Sequence, residues 1–156
     1  ISFIIKNCNF NNQINEKLFK QIGLYNGEIS RFSFINSTIL SHGLIYLFDT
    51  ITNSRAFKEL EMLEIKNINC YDMPSNINEY VKNLFKHRRF IMIFTISNSK
   101  NPFDFNLNSL QNYLLLSEIN LNGQKIIQPI SANIQILQSI HSFIQSIHSF
   151  IHSNIH

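Results

Sequence analysis

His148, His152 and His156 recur every four residues, a spacing that would align three imidazoles on one face of a helix and offer nitrogen ligands to zinc or nickel. No carboxylate or thiolate stands near them, and the repeated segment in which they lie accounts for the spacing without a metal. Cys8 and Cys70 have neither metal-ligand spacing nor the partners of a disulfide framework; they are expected as free thiols in a reducing compartment. His42 and His87 each stand alone, and as a nucleophile's base either would need a serine and an acid that the sequence does not place beside it. Asp49 and Asp104 have no evident partner. The sequence therefore points to no enzyme, no metal and no cofactor. What remains is the basic cluster Leu84-Phe85-Lys86-His87-Arg88-Arg89-Phe90. The planar fork of arginine suits paired contacts with a carboxylate or with backbone, so Arg88 and Arg89 are candidates either for docking a partner or for bracing the domain.

The elements that must hold these residues can be read from spacing. Ile14, Leu18 and Ile22 fall on one helical face, and Gly23 is a stop for that helix. Dense apolar sequence from Ile39 to Phe48 predicts a buried helix over 36–51. Between Ala56 and Asn67 the run Lys58 to Glu64 is rich in helix formers, yet a strand pair within 56–73 is an open alternative. Pro74-Ser75-Asn76 starts the next helix, with Asn76 and Glu79 as a capping box. That helix, over 76–96, would carry Tyr80, Val81, Leu84 and Phe85 on one side and Lys82, Lys86 and Arg89 on the other, before the apolar run Phe90 to Ile96 enters a core. Asn98 to Pro102 reads as a loop, 108–118 as a short helix, and 123–152 as a last helix. Gln138-Ser139-Ile140-His141-Ser142-Phe143-Ile144 is repeated unchanged as 145–151, and no Asp, Glu, Lys or Arg occurs from Ile126 onward. The seven-residue period sets Ile140, Phe143, Ile144, Ile147, Phe150 and Ile151 on one face, either as a packing helix or as a tail made by repeat expansion.

Composition sets outer bounds. A chain of 156 residues can bury a sizeable single core, and 13 basic against 10 acidic residues, net +3, is too mild a balance to imply nucleic acid. Basic and aromatic residues also fail to interleave as a stacking surface requires. Ile1 to Ile5 is apolar but far too short for a signal segment or a membrane span, so a cytoplasmic chain with at most peripheral membrane contact is expected. The chain starts with Ile1 rather than Met, so either a fragment or a partial gene model is expected.

Over roughly 31–133 the order of short motifs resembles the middle of the Rab GDP-dissociation inhibitor and Rab escort protein family. The residues carrying it are Ser41-His42-Gly43, Ser54-Arg55-Ala56-Phe57-Lys58, Met73-Pro74-Ser75 and Lys86-His87-Arg88-Arg89-Phe90, with Leu110 to Leu114 and Leu121 to Ile127 closer to the escort branch. The family's Gly-rich opening fingerprint has no counterpart among the four glycines, at 23, 27, 43 and 123. The resemblance implies a non-enzymatic carrier that binds a Rab-type small GTPase in vesicle traffic. It further implies docking on Rab geranylgeranyltransferase through Arg88 and a position falling on Val81 or Tyr80. An isoprenoid would lie in a slot for which Leu84, Phe85, Phe90, Ile93, Leu110, Tyr113 and Leu114 are candidates by pattern. The alternative is a helical protein-protein interaction module with no Rab link. The expected fold is α+β and mostly α: an extension over 1–30, the family-like region over 31–133 with one strand pair, and the repeat tail over 134–156.

Overall fold

A computed structural model describes residues 1–10, 14–105, 115–127 and 132–154. It corrects the expected fold class. Over the described residues the chain is an α/β structure built on a six-stranded, mostly parallel sheet with four helices, not a mostly helical one with a single strand pair.

Alternation makes the strands. In β1 (Ser2–Lys6), β3 (Arg31–Ile35), β5 (Met62–Ile68), β6 (Ile93–Asn98) and β7 (Glu118–Leu121), every second residue is apolar and turns to one side. Phe3, Phe32, Leu63, Phe94 and Ile119 fall in one row across the sheet, and Ile5, Phe34, Ile65, Ile96 and Leu121 in the next. The strands lie in chain order, all parallel, and β8 (Gln124–Ile127) closes the far edge as the antiparallel arm of a hairpin with β7. Asn122 and Gly123, with φ of +51° and +82°, make the two-residue turn; its left-handed backbone suits this pair.

β1 and β3 are each followed by a left-handed asparagine, Asn7 and Asn36, and β5 carries one, Asn67, where its register with β6 shifts; the short polar side chain of asparagine tolerates positive φ. The chain then makes a second extended segment. β2 (Asn9–Phe10) pairs with β4 (Thr38–Ile39), and Thr38 bridges to Asn69, so the turns are laddered as the strands are. Ser37 ties two turns together by accepting the Cys8 N–H at 3.1 Å and donating to the Ile35 carbonyl at 2.9 Å. Asn98 does the same work two turns on, accepting from the Cys70 N–H and donating to the Cys70 carbonyl.

Helices α1 (Ile14–Gly23), α2 (Ser41–Asn53) and α3 (Ile77–His87) return the chain, with α2 packed against both α1 and α3. Phe19 and Ile22 bury the inner face of α1, whereas Leu18, expected inside, is exposed. In α3 the buried set is Ile77, Val81, Leu84 and Phe85, with Tyr80 at its margin; Asn76 takes the N-cap position but makes no side-chain cap bond. A 3₁₀ turn, Arg55–Phe57, buries Phe57 against Phe32, ring centroids 5.4 Å apart. The core between sheet and helices is dominated by phenylalanine: Phe19, Phe32, Phe34, Phe48, Phe57, Phe85 and Phe94 are all sealed from solvent. Burying one such ring stabilises by about 1.5–3 kcal/mol, so this interface holds the stack together.

Four expected helices become strands in part. The one expected over 36–51 begins only at Ser41, because Thr38 and Ile39 ahead of it pair as β4. The run Phe90 to Ile96 does not prolong α3; the helix stops at His87 and the apolar residues form β6. Residues 58–64 give neither a helix nor a strand pair but lead into the single central strand β5, flanked by β3 and β6. The expected last helix loses its start to β8 and survives as α4 (Ala132–Asn154). Most of the helix expected over 108–118 lies outside the described residues, and Glu118 begins β7. The 1–30 segment forms the first strand-turn-helix unit of the stack.

Candidate functional site: the open face of the sheet

Parallel sheets are ordinarily covered on both faces. Here α1 to α3 pack on one, and the side chains on the other define the candidate site. The register gives two full rows: Ser2, Arg31, Met62, Ile93 and Glu118, then Ile4, Ser33, Glu64, Thr95 and Asn120. A shorter third row holds Lys6, Ile35 and Lys66. Ile4 is 63 % exposed, Lys6, Arg31 and Lys66 are exposed, and Glu64, Thr95, Glu118 and Asn120 are half-buried. Ser33 is buried because a small side chain sits between larger neighbours.

One end of this face is organised by side-chain bonds. Asn120 Nδ2 donates to Thr95 Oγ1 and to Glu118 Oε2, both at 3.1 Å, and Lys125 Nζ lies 2.9 Å from Glu118 Oε1. The bond from Lys125 first, and that from Asn120 second, hold the Glu118 carboxyl below its ordinary value. Arg31, Lys66 and Glu64 thus face solvent beside a pre-ordered polar corner. The chemistry available is complementary charge and hydrogen bonding to a partner surface. Among the described residues no three His, Cys, Asp or Glu side chains gather as metal ligands.

Of the described residues singled out from sequence, Ile93 lies on this face and the others lie elsewhere. Arg88 is turned inward: its Nε donates to the Ile51 carbonyl at 2.8 Å and its guanidinium Nη2 to the Ser54 carbonyl at 2.6 Å, so it ties the end of α3 to the end of α2. Burial pushes its pKa down from the ordinary value. Arg89 is exposed, its Nε 3.3 Å from the Lys86 carbonyl. Val81, Leu84 and Phe85 are core residues. Phe90 stacks on His141 of α4 at 4.0 Å between ring centroids, and Ile93 sits in the outer row of the sheet. Leu110, Tyr113 and Leu114 lie outside the described residues. The described candidates for an isoprenoid slot, Leu84, Phe85, Phe90 and Ile93, are therefore spread over core, sheet face and an α4 contact. Lys86 and His87 are the last residues of α3, and Arg88 to Phe90 lie beyond its end. His42 is exposed, and His87 Nδ1 bonds within its own helix to the Asn83 carbonyl. Cys8 is exposed and Cys70 buried, both as free thiols.

Reasoning from sequence missed the outer rows altogether. A signal for them exists in Phe3-x-Ile5-x-Asn7, Phe32-x-Phe34-x-Asn36, Leu63-x-Ile65-x-Asn67 and Phe94-x-Ile96-x-Asn98, set roughly 30 residues apart. No family model matches the sequence, and comparison with curated proteins and with solved structures gives no match. No helix among the described residues is long and apolar enough to cross a membrane.

Proposed function

We propose that the chain is a non-catalytic protein-binding scaffold of stacked strand-turn-helix units, and that the open sheet face is its docking surface. The observation that carries this reading is the one-sided sheet: strands in chain order, helices on one face, and continuous rows of mixed polar and apolar side chains on the other. Stacked repeats of this kind use extended sheet surfaces to bind partners. Phe3-x-Ile5-x-x-Cys8-x-Phe10, Phe32-x-Phe34-x-x-Ser37-x-Ile39 and Leu63-x-Ile65-x-x-Ile68-x-Cys70 resemble the strand half of the leucine-rich-repeat signature. Both signs of charge occur on the face, which suits a protein better than a polyanion. A cytosolic setting, expected from the two free thiols, belongs to the same proposal.

The test is site-directed photo-crosslinking in extract of the source cell, with the probe at Lys66 on the sheet face or at Lys20 on α1. Both positions are exposed, so reactivity alone does not separate them. A discrete adduct from position 66 and none from position 20 is the expected result. Equal labelling from both, or none from 66, removes the sheet face as the docking surface. The Rab-carrier role is a second proposal, supported by the order of its motifs; Arg88, Val81, Leu84 and Phe85, on which it would draw, are engaged inside the fold. Retention of geranylgeranylated over unmodified Rab, in the GDP state, is its test.

A further inference from the structure

Helix α4 is amphipathic the wrong way round for a helix that packs on its own domain. The side it turns to the body is polar: Gln145 Nε2 donates to Glu61 Oε1 at 3.0 Å, and the His141 ring stacks on Phe90. His141 Nε2 lies 3.6 Å from Glu61 Oε1, within ion-pair range but beyond hydrogen-bond reach. The apolar side faces away, with Ile140 48 %, Phe143 66 %, Ile144 46 %, Ile147 39 %, Phe150 69 % and Ile151 46 % exposed. Written as heptads these are positions a, d and e, while His141 and Gln145 are b and f, the outer positions of a coiled coil.

We infer that α4 pairs with α4 of a second copy of this chain through the stripe Ile140, Phe143, Ile144, Ile147, Phe150 and Ile151. Three observations choose this occupant. First, the stripe repeats at seven residues with the same residue types, so a copy of itself presents knobs and holes at the matching period. Second, α4 contains no Asp, Glu, Lys or Arg, so no like charges oppose one another across a two-fold seam. A helix lying on a lipid surface would instead gain from Lys and Arg around its polar side, and here that side rests on the body. Third, the areas are adequate. A free Phe side chain carries about 200 Å² and Ile somewhat less, which at these exposures leaves on the order of 500 Å² open per copy. Two copies then have about 1,000 Å² to bury, the size at which specific interfaces begin. The outer positions remain on the body, so pairing requires no rearrangement of α4.

Sedimentation equilibrium of the full chain, from about 1 mM down to about 1 μM, tests the pairing. The expected result is a mass passing from twice 18.3 kDa to 18.3 kDa on dilution. The double variant Phe143→Glu with Phe150→Glu should weaken association at least about 30-fold, since it places like charges in the seam. Ser149→Glu, at the outer c position, should leave the curve unchanged, and circular dichroism should show the sheet intact in both variants. A single 18.3 kDa species up to about 1 mM overturns the inference, and capture of that species by phosphatidylcholine vesicles would assign the stripe to a lipid surface. A dimer that survives the double variant overturns it equally.

Discussion

Arg88→Ala separates a bracing arginine from a docking one. The last four carbonyls of a helix have no partner within it, and Ser54 N–H satisfies only that of Thr50. Arg88 takes the Ile51 carbonyl at 2.8 Å and reaches on to that of Ser54 at 2.6 Å. Hydrogen bonds with a charged partner contribute about 1.5–3 kcal/mol each, and a cation at a helix C-terminus about 0.3–1 kcal/mol more. Burial of the guanidinium, which lowers its pKa, opposes this: desolvation of the charge is a cost that the two bonds must first offset. Two bonds from one side chain are also not additive, so the net loss on truncation is about 2–4 kcal/mol. Urea denaturation followed by circular dichroism should show the midpoint falling with its slope unchanged, and thermal unfolding should drop by roughly 5–15 °C. Arg88→Lys retains charge but cannot fork between the two carbonyls, and should recover only part of the loss. A destabilisation below about 0.5 kcal/mol, the level of an ordinary surface change, would refute the bracing role and return Arg88 to the list of docking residues.

Three further outcomes follow from the geometry. Glu118 titrates below its ordinary 4.5, so its bonds to Lys125 and Asn120 stabilise the fold above that pH and are lost as pH falls through the folded-state value; Glu118→Gln should flatten the acid decline of the urea midpoint slightly, as befits a solvent-screened pair, and an unchanged profile would deny the pair any role. Burial first, and Asp72 second, push the Cys70 thiol up to about 12, so iodoacetamide at about pH 8 should label Cys8 alone until denaturant is added, as read by intact mass; two labels on the native chain would contradict the packing of Cys70. At Gly123, where φ is +82° and no atom would lie within 4 Å of an added Cβ, Gly123→Ala meets only backbone strain and should cost about 1–2 kcal/mol; a neutral result would mean that the β7–β8 turn relaxes freely.

Local chemistry is where the sequence speaks for itself. The helices near 14–23, 41–53 and 77–87 follow from apolar residues three and four apart and from Gly23 and Pro74 as punctuation, because a helix closes its bonds within its own segment. The α4 stripe was legible for the same reason, as was the Asn122-Gly123 break, though not the hairpin it serves. Strands were legible only as ambiguity. Phe90 to Ile96 is apolar enough to extend a helix or to lie in a sheet, and the choice is made by bonding to β5 on one side and β7 on the other, residues some 25–31 positions away. The repeat itself was hidden because its units share size and polarity rather than residue type: Ile5, Phe34 and Ile65 fill one row, and Cys8, Ser37 and Ile68 another place. Arg88 marks the boundary most plainly. Its type promised paired hydrogen bonds, but that they go to the carbonyls of Ile51 and Ser54, and not to a partner, was decided only when packing brought the end of α2 beside the end of α3, since those acceptors lie 37 and 34 residues away in the chain.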